Sequence, residues 1–125
     1  MNLMSMVTIL IVEDTLSELE LISTYLKESG YVALGALTGQ EGINLAIEKK
    51  PDVILSDVVM PGMSGFELCR KLKQNPATEK IPIILCTSKN QEIDRLWGMK
   101  QGADAYITKP FTREQLIRAV KCMVI

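Results

Sequence analysis

Five strand-like runs alternating with five helix-like periods predict an α/β fold of the (βα)5 type. In it one five-stranded parallel sheet is covered by helices on both faces, a three-layer sandwich. Three observations carry that prediction. Ile9-Leu-Ile-Val12, Val53-Ile-Leu55 and Ile83-Ile-Leu85 are apolar without alternation, as strands buried on both faces require. Between the strands, apolar residues recur at helical spacing. Each predicted helix also opens on a capping-box pair: Thr15 with Glu18, Thr38 with Glu41, Ser64 with Glu67, Ser88 with Gln91 and Thr112 with Gln115.

Taken in order, Thr8–Glu13 is the first strand, and Leu16, Leu19, Ile22 and Leu26 mark the first helix, which Gly30 stops. Val32–Ala36 is the second strand; Ile43, Ala46 and Ile47 mark the second helix, already ended before Pro51. The third strand climbs from Val53 to Asp57, and Pro61-Gly62 prevents the chain from continuing regularly. Phe66, Cys69 and Leu72 mark the third helix, ending near Asn75-Pro76. Ile81–Thr87 is the fourth strand, Ile93–Lys100 the fourth helix, Ala105–Thr108 a short fifth strand, and Leu116, Ala119, Val120 and Met123 the last helix. The 125 residues read as one domain with no linker, no repeat and nothing left for an output domain.

Composition narrows the chemistry. Histidine is absent, which removes His-based triads and the commonest metal ligand. Cys69, Cys86 and Cys122 are odd in number and widely spaced, so they read as reduced thiols packed as small apolar groups. A net charge of −1 without a basic stripe argues against nucleic acid. Met1-Asn-Leu-Met-Ser-Met6 lacks the basic start of a signal peptide, and no run approaches the ~20 apolar residues of a membrane span, so the expected location is cytoplasmic.

Right-handed crossovers put the carboxyl ends of all parallel strands on one edge of the sheet. Glu13, Asp14, Asp57, Thr87 and the Thr108-Lys109-Pro110 joint fall on that edge. Three carboxylates near one another repel unless a cation sits among them, and an oxygen-only set favours Mg²⁺. The carboxylate of Asp57 can then attack phosphorus, with Lys109 supplying charge and Thr87 a hydroxyl donor. Singly, each feature has a plainer reading: Glu13-Asp14 as a solvated loop pair, Thr87-Ser88 as a cap, Lys109 as a loop lysine, Tyr106 as a core or edge aromatic. Their conjunction on one edge decides.

Val12-Glu-Asp14, Asp57-Val-Val-Met-Pro-Gly62, Thr87-Ser88 and Lys109-Pro-Phe111 resemble the receiver domain of two-component response regulators over essentially the whole chain. The resemblance implies a flavodoxin-like sheet of order 2-1-3-4-5. It further implies that Asp57 is phosphorylated by a sensor histidine kinase or phosphotransfer protein, and that Glu13, Asp14, Asp57 and the carbonyl of Val59 hold Mg²⁺. Thr87 and Lys109 would bind the phosphoryl oxygens, Lys109-Pro110 would be cis, and Thr87 with Tyr106 would form the switch, moving inward on phosphorylation. The output would be a protein target on the face of the fourth helix, fifth strand and fifth helix, on a monomer or weak dimer. Activity would be limited to self-catalysed phosphoryl acceptance and autodephosphorylation. Glu13 stands where Asp is also common, and Val59 where some members carry a polar residue that orients the hydrolytic water.

Lys89–Ala103, centred on Trp97-Gly98, resembles stand-alone regulators of type IV pilus twitching motility and related chemotaxis-like systems, implying control of motility or phototaxis. A phosphate sink and an inactive pseudo-receiver remain alternatives. An aspartate-nucleophile phosphatase would need an acid where Val59 stands. An FMN carrier would need a phosphate loop where Glu13-Asp14 stands. The terminal Val120-Lys-Cys-Met-Val-Ile125 reads either as a partner face or as core.

Overall fold

Apolar runs that must be covered on both faces dictate a sheet between two helical layers. The computed structural model describes residues 6–124, so the reading of the first six residues as a poor signal peptide lies largely outside the described residues, as does the terminal Ile125. The elements are β1 (Thr8–Val12), α1 (Leu16–Glu28), β2 (Val32–Ala36), α2 (Gly39–Lys49), β3 (Val53–Asp57), α3 (Gly65–Gln74), β4 (Ile83–Thr87), α4 (Glu92–Lys100), β5 (Ala105–Thr108) and α5 (Arg113–Met123). All pairings are parallel, and the order is β2-β1-β3-β4-β5, as the resemblance implied.

Strand alternation divides the core into two halves. Ile9, Ile11, Val53, Leu55, Ile84 and Cys86 pack with Ile22 and Leu26 of α1 and Leu116 and Val120 of α5. Leu10, Val12, Ile54, Ile83 and Leu85 pack on the other face with Ala46, Leu68 and Leu72. The central strands β1, β3 and β4 are almost wholly buried, whereas the edge strands β2 and β5 are partly open. No helix among the described residues is long and apolar enough to cross a membrane.

Several local expectations change. β4 begins at Ile83 because Pro82 has no N–H to give a ladder, although its carbonyl still accepts from Ile54 N at 2.9 Å. Thr38, Ser64 and Thr112 cap their helices as predicted, Thr112 with a complete box. Thr15 makes no side-chain cap, and α4 starts after Gln91 instead of Ser88. Leu16, read as part of the apolar stripe, is exposed. Cys69 and Cys86 are buried thiols, but Cys122 is exposed and does not pack as expected. At the end of α5, Val120 is buried and Met123 and Val124 pack against the core, whereas Lys121 and Cys122 are exposed.

Candidate functional site

β3 lies between β1 and β4, so the residue closing β3 is flanked by whatever follows its neighbours. Asp57 ends β3, Glu13-Asp14 follow β1, Thr87 ends β4 and Lys109 follows β5. After Asp57 the chain turns through Gly62, whose φ of +79° favours glycine. It then enters α3 at Gly65, where a Cβ would lie 2.0 Å from the Asp57 carbonyl oxygen. Glycine alone allows this approach, and the Gly65 N–H donates to Val58 O at 2.8 Å.

One oxygen each of Glu13, Asp14 and Asp57 lie within 4.8 Å of one another. Lys109 faces this group: its Nζ is 3.0 Å from Glu13 Oε1 and 3.5 Å from Asp57 Oδ2. It also donates to Glu18 Oε1, a contact the sequence did not suggest. The second Glu13 oxygen accepts from Thr15 N at 3.1 Å, and Asp57 Oδ1 accepts from Val58 N at 2.7 Å. Burial pushes the Glu13 carboxyl above its usual range, against the opposing pull of Lys109 and the Thr15 N–H. Burial would lower the Lys109 pKa, but hydrogen bonds to Glu18 and Glu13 outweigh it and raise it. With Glu18 included, four carboxylates face one ammonium, a formal charge of −3. An excess of oxygen anions with no nitrogen or sulfur donor among them fits a hard divalent cation such as Mg²⁺.

Thr87 is fully buried, and its hydroxyl accepts from Lys89 N at 3.2 Å. Tyr106 is 5% exposed and donates its hydroxyl proton to Lys89 O at 2.8 Å. Both expected switch residues are therefore inward in this structure and grip the backbone of the same residue, Lys89. Arg95 holds Tyr106 further: its guanidinium lies 5.7 Å from the ring centroid and donates to Tyr106 O at 3.2 Å. Lys109-Pro110 is cis.

Every sequence-predicted site residue thus lies on the carboxyl edge or directly behind it. Val59, two residues beyond Asp57, has an exposed side chain. Glu18, Arg95 and Gly65 were missed as site residues. In the sequence Glu18 reads as the capping-box partner of Thr15, although an acid one turn into the helix after Glu13-Asp14 is a usable signal. Trp97 is 48% exposed and shares α4 with exposed Ile93, Leu96 and Met99.

Comparison with known proteins agrees with this geometry. The response regulator receiver domain family matches residues 9–121. Protein PilH of Pseudomonas aeruginosa is 41% identical over 95% of this chain and 98% of its own length. A structure described as a putative response regulator of Chloroflexus aurantiacus superposes with a TM-score of 0.92 at 31% identity, covering 96% of this chain and 98% of that one. The receiver domain of a Pseudomonas aeruginosa sensor histidine kinase, with magnesium ion coordinated in the active site cleft, gives 0.88 at 27% identity and the same two coverages. With the family match running from the first strand into the last helix, the chain belongs to the response regulator receiver domain family.

Proposed function

We infer that the chain is a phosphoacceptor switch of a two-component phosphorelay in which Asp57 takes a phosphoryl group from a sensor histidine kinase or phosphotransfer protein. The observation that carries this reading is the position of the Asp57 carboxylate, 3.5 Å from Lys109 Nζ and within 4.8 Å of Glu13 and Asp14 oxygens. An Asp57 oxygen forms the bond to phosphorus as the donor's bond to phosphorus breaks. The electron pair leaves with the donor group, and Lys109 and Thr87 bind the phosphoryl oxygens.

Asp14, Asp57 and the Val59 carbonyl would hold Mg²⁺. Glu13, both of whose oxygens already accept hydrogen bonds, suits a position one water removed. Bound there, the metal would neutralise the carboxylates and offset charge on the transferring group.

The shared grip on Lys89 supports a specific coupling. A phosphoryl oxygen that draws the Thr87 hydroxyl would release Lys89 N, shift the loop and alter the hydrogen bond from Tyr106. The surface altered is that of α4, β5 and α5, and the exposed apolar side chains on α4 favour a protein target there. A role in motility or phototaxis is consistent with the Lys89–Ala103 segment and with the similarity to Protein PilH. The site belongs to a cytoplasmic signalling protein that turns over no substrate beyond its own acyl phosphate.

Intact mass after incubation with acetyl phosphate and Mg²⁺ tests the reading, beside Asp57→Asn and a chelator control. One added phosphoryl group that needs both Asp57 and the metal is expected. No gain in the parent chain would overturn it.

A further inference from the structure

Lys109 has one carboxylate partner that the metal-site geometry does not require, Glu18. In a capping box the third helical residue returns its carboxylate to the backbone N–H of the cap residue. Here Thr15 N donates to Glu13 Oε2 instead, and Thr15 caps nothing with its side chain. Glu18 is therefore free to reach Lys109, 91 positions away in sequence.

The three carboxylates paired with Lys109 differ. Glu13 is buried and pinned on its other oxygen by Thr15 N. Asp57 has the longer contact, at 3.5 Å against 3.0 Å for Glu13. Glu18, with a side chain 44% exposed, stands outside the group of three carboxylates that can share a metal. It draws on the ammonium without contributing to that group. An incoming phosphoryl oxygen needs a donor from Lys109, and Glu18 is the hydrogen-bond partner that can leave Lys109 for solvent without disturbing the group of three carboxylates.

We propose that Glu18 is a positioning residue that restrains Lys109 and slows the capture of anionic phosphoryl donors at Asp57. This rests on the phosphoacceptor reading and deepens it. Two effects share a sign: the restraint occupies a donor of Lys109, and the Glu18 carboxylate repels an anionic donor. Exchange of Glu18 for the phosphoryl group opens one ion pair and closes another. The Asp57–phosphorus bond forms as the donor's P–O bond breaks, and acetate leaves when acetyl phosphate is the donor.

The test compares the parent chain, Glu18→Gln and Asp57→Asn, each with Mg²⁺. Phosphoryl uptake is followed by intact mass over a range of donor concentrations, with acetyl phosphate and with the less negatively charged phosphoramidate. Glu18→Gln is expected to raise the second-order rate with acetyl phosphate roughly two- to fivefold, the range given by one partly exposed ion pair. The gain should be smaller with phosphoramidate and should shrink in high salt. A general loosening of α1 would change both donors alike and lower the melting temperature. Equal rates for parent and Glu18→Gln, a slower variant, or a gain independent of donor charge and salt would each overturn the inference while leaving the acceptor reading intact. A parent that takes up no phosphoryl group would overturn the acceptor reading and this inference with it.

Discussion

At the amino edge of the sheet, Asp52 accepts from Thr8 N at 2.8 Å, and Asp104 accepts from Ile83 N at 2.9 Å, so each aspartate holds the first residue of a strand. Lys73 binds Asp104 at 3.0 Å and Ile81 O at 3.0 Å, and the buried Thr78 hydroxyl donates to Leu72 O at 2.7 Å. At the carboxyl edge, Glu13, Glu18 and Asp57 converge on Lys109 alone, with Asp14 close by. Both edges use acids and a lysine. One spends them on backbone groups that strands leave unpaired, whereas the other gathers like charges with too little opposite charge between them. The first arrangement stabilises the fold, whereas the second crowds like charges, at some cost in stability, in the arrangement proposed above to take a cation and a phosphoryl group.

Four substitutions, together with Mg²⁺ and pH, would break or sharpen this contrast. Gly65→Ala should be the most damaging: its Cβ would meet the Asp57 carbonyl, backbone that cannot rotate away. A loss of about 3 kcal/mol is expected in denaturant unfolding. A neutral result would mean that the close approach of α3 to β3 is dispensable.

Lys73→Met should cost about 2 kcal/mol because it leaves Asp104 and the Ile81 carbonyl short of a donor. Asp57→Asn at the other edge should leave stability unchanged or raised, since it removes one of the crowded carboxylates. Equal losses from the two substitutions would erase the contrast between the edges.

Mg²⁺ should stabilise the chain by about 1.4 kcal/mol at ten times its dissociation constant, read as a shift in thermal melting, and much less in Asp57→Asn. The same measurement against pH carries a sign. Because burial raises the Glu13 pKa above 4.5, the folded chain binds this proton more tightly than the unfolded chain. Without Mg²⁺ this group's contribution should therefore make stability rise as pH falls from neutral through the raised value toward 4.5. With Mg²⁺ present that slope should flatten. A Mg²⁺-independent profile would argue against cation binding by this cluster.

The smallest effect belongs to the amino edge. Lys50 ends α2 with φ +47°, a conformation that glycine adopts without strain. Lys50→Gly should gain roughly 0.5–1 kcal/mol in unfolding free energy, with no change in phosphoryl uptake.

The capping pairs show where local sequence was a sound guide. Thr38, Ser64 and Thr112 formed the side-chain caps that spacing predicts, because the backbone N–H each hydroxyl accepts from lies within one turn. Thr15 and Ser88 did not, and both stand in loops beside the site, following Glu13-Asp14 and Thr87. There the polar groups have other partners: Glu18 goes to Lys109, while Lys89 N and O go to Thr87 and Tyr106. A rule of local spacing fails where the tertiary structure offers a polar group something better than its own helix end.

The amino-acid sequence by itself determined the alternation of strands and helices, the burial of β1, β3 and β4 on both faces, and the gathering of Glu13, Asp14, Asp57, Thr87 and Lys109 on one edge. Those follow from periodicity and turn chemistry, which act over a few residues, and from a topology in which parallel strands share their carboxyl ends. Only the tertiary structure decided that Lys109 is divided among Glu13, Glu18 and Asp57, and that Arg95 clasps an inward Tyr106. These contacts join residues far apart in sequence, and which acid reaches which lysine depends on packing distances that neither composition nor spacing encodes.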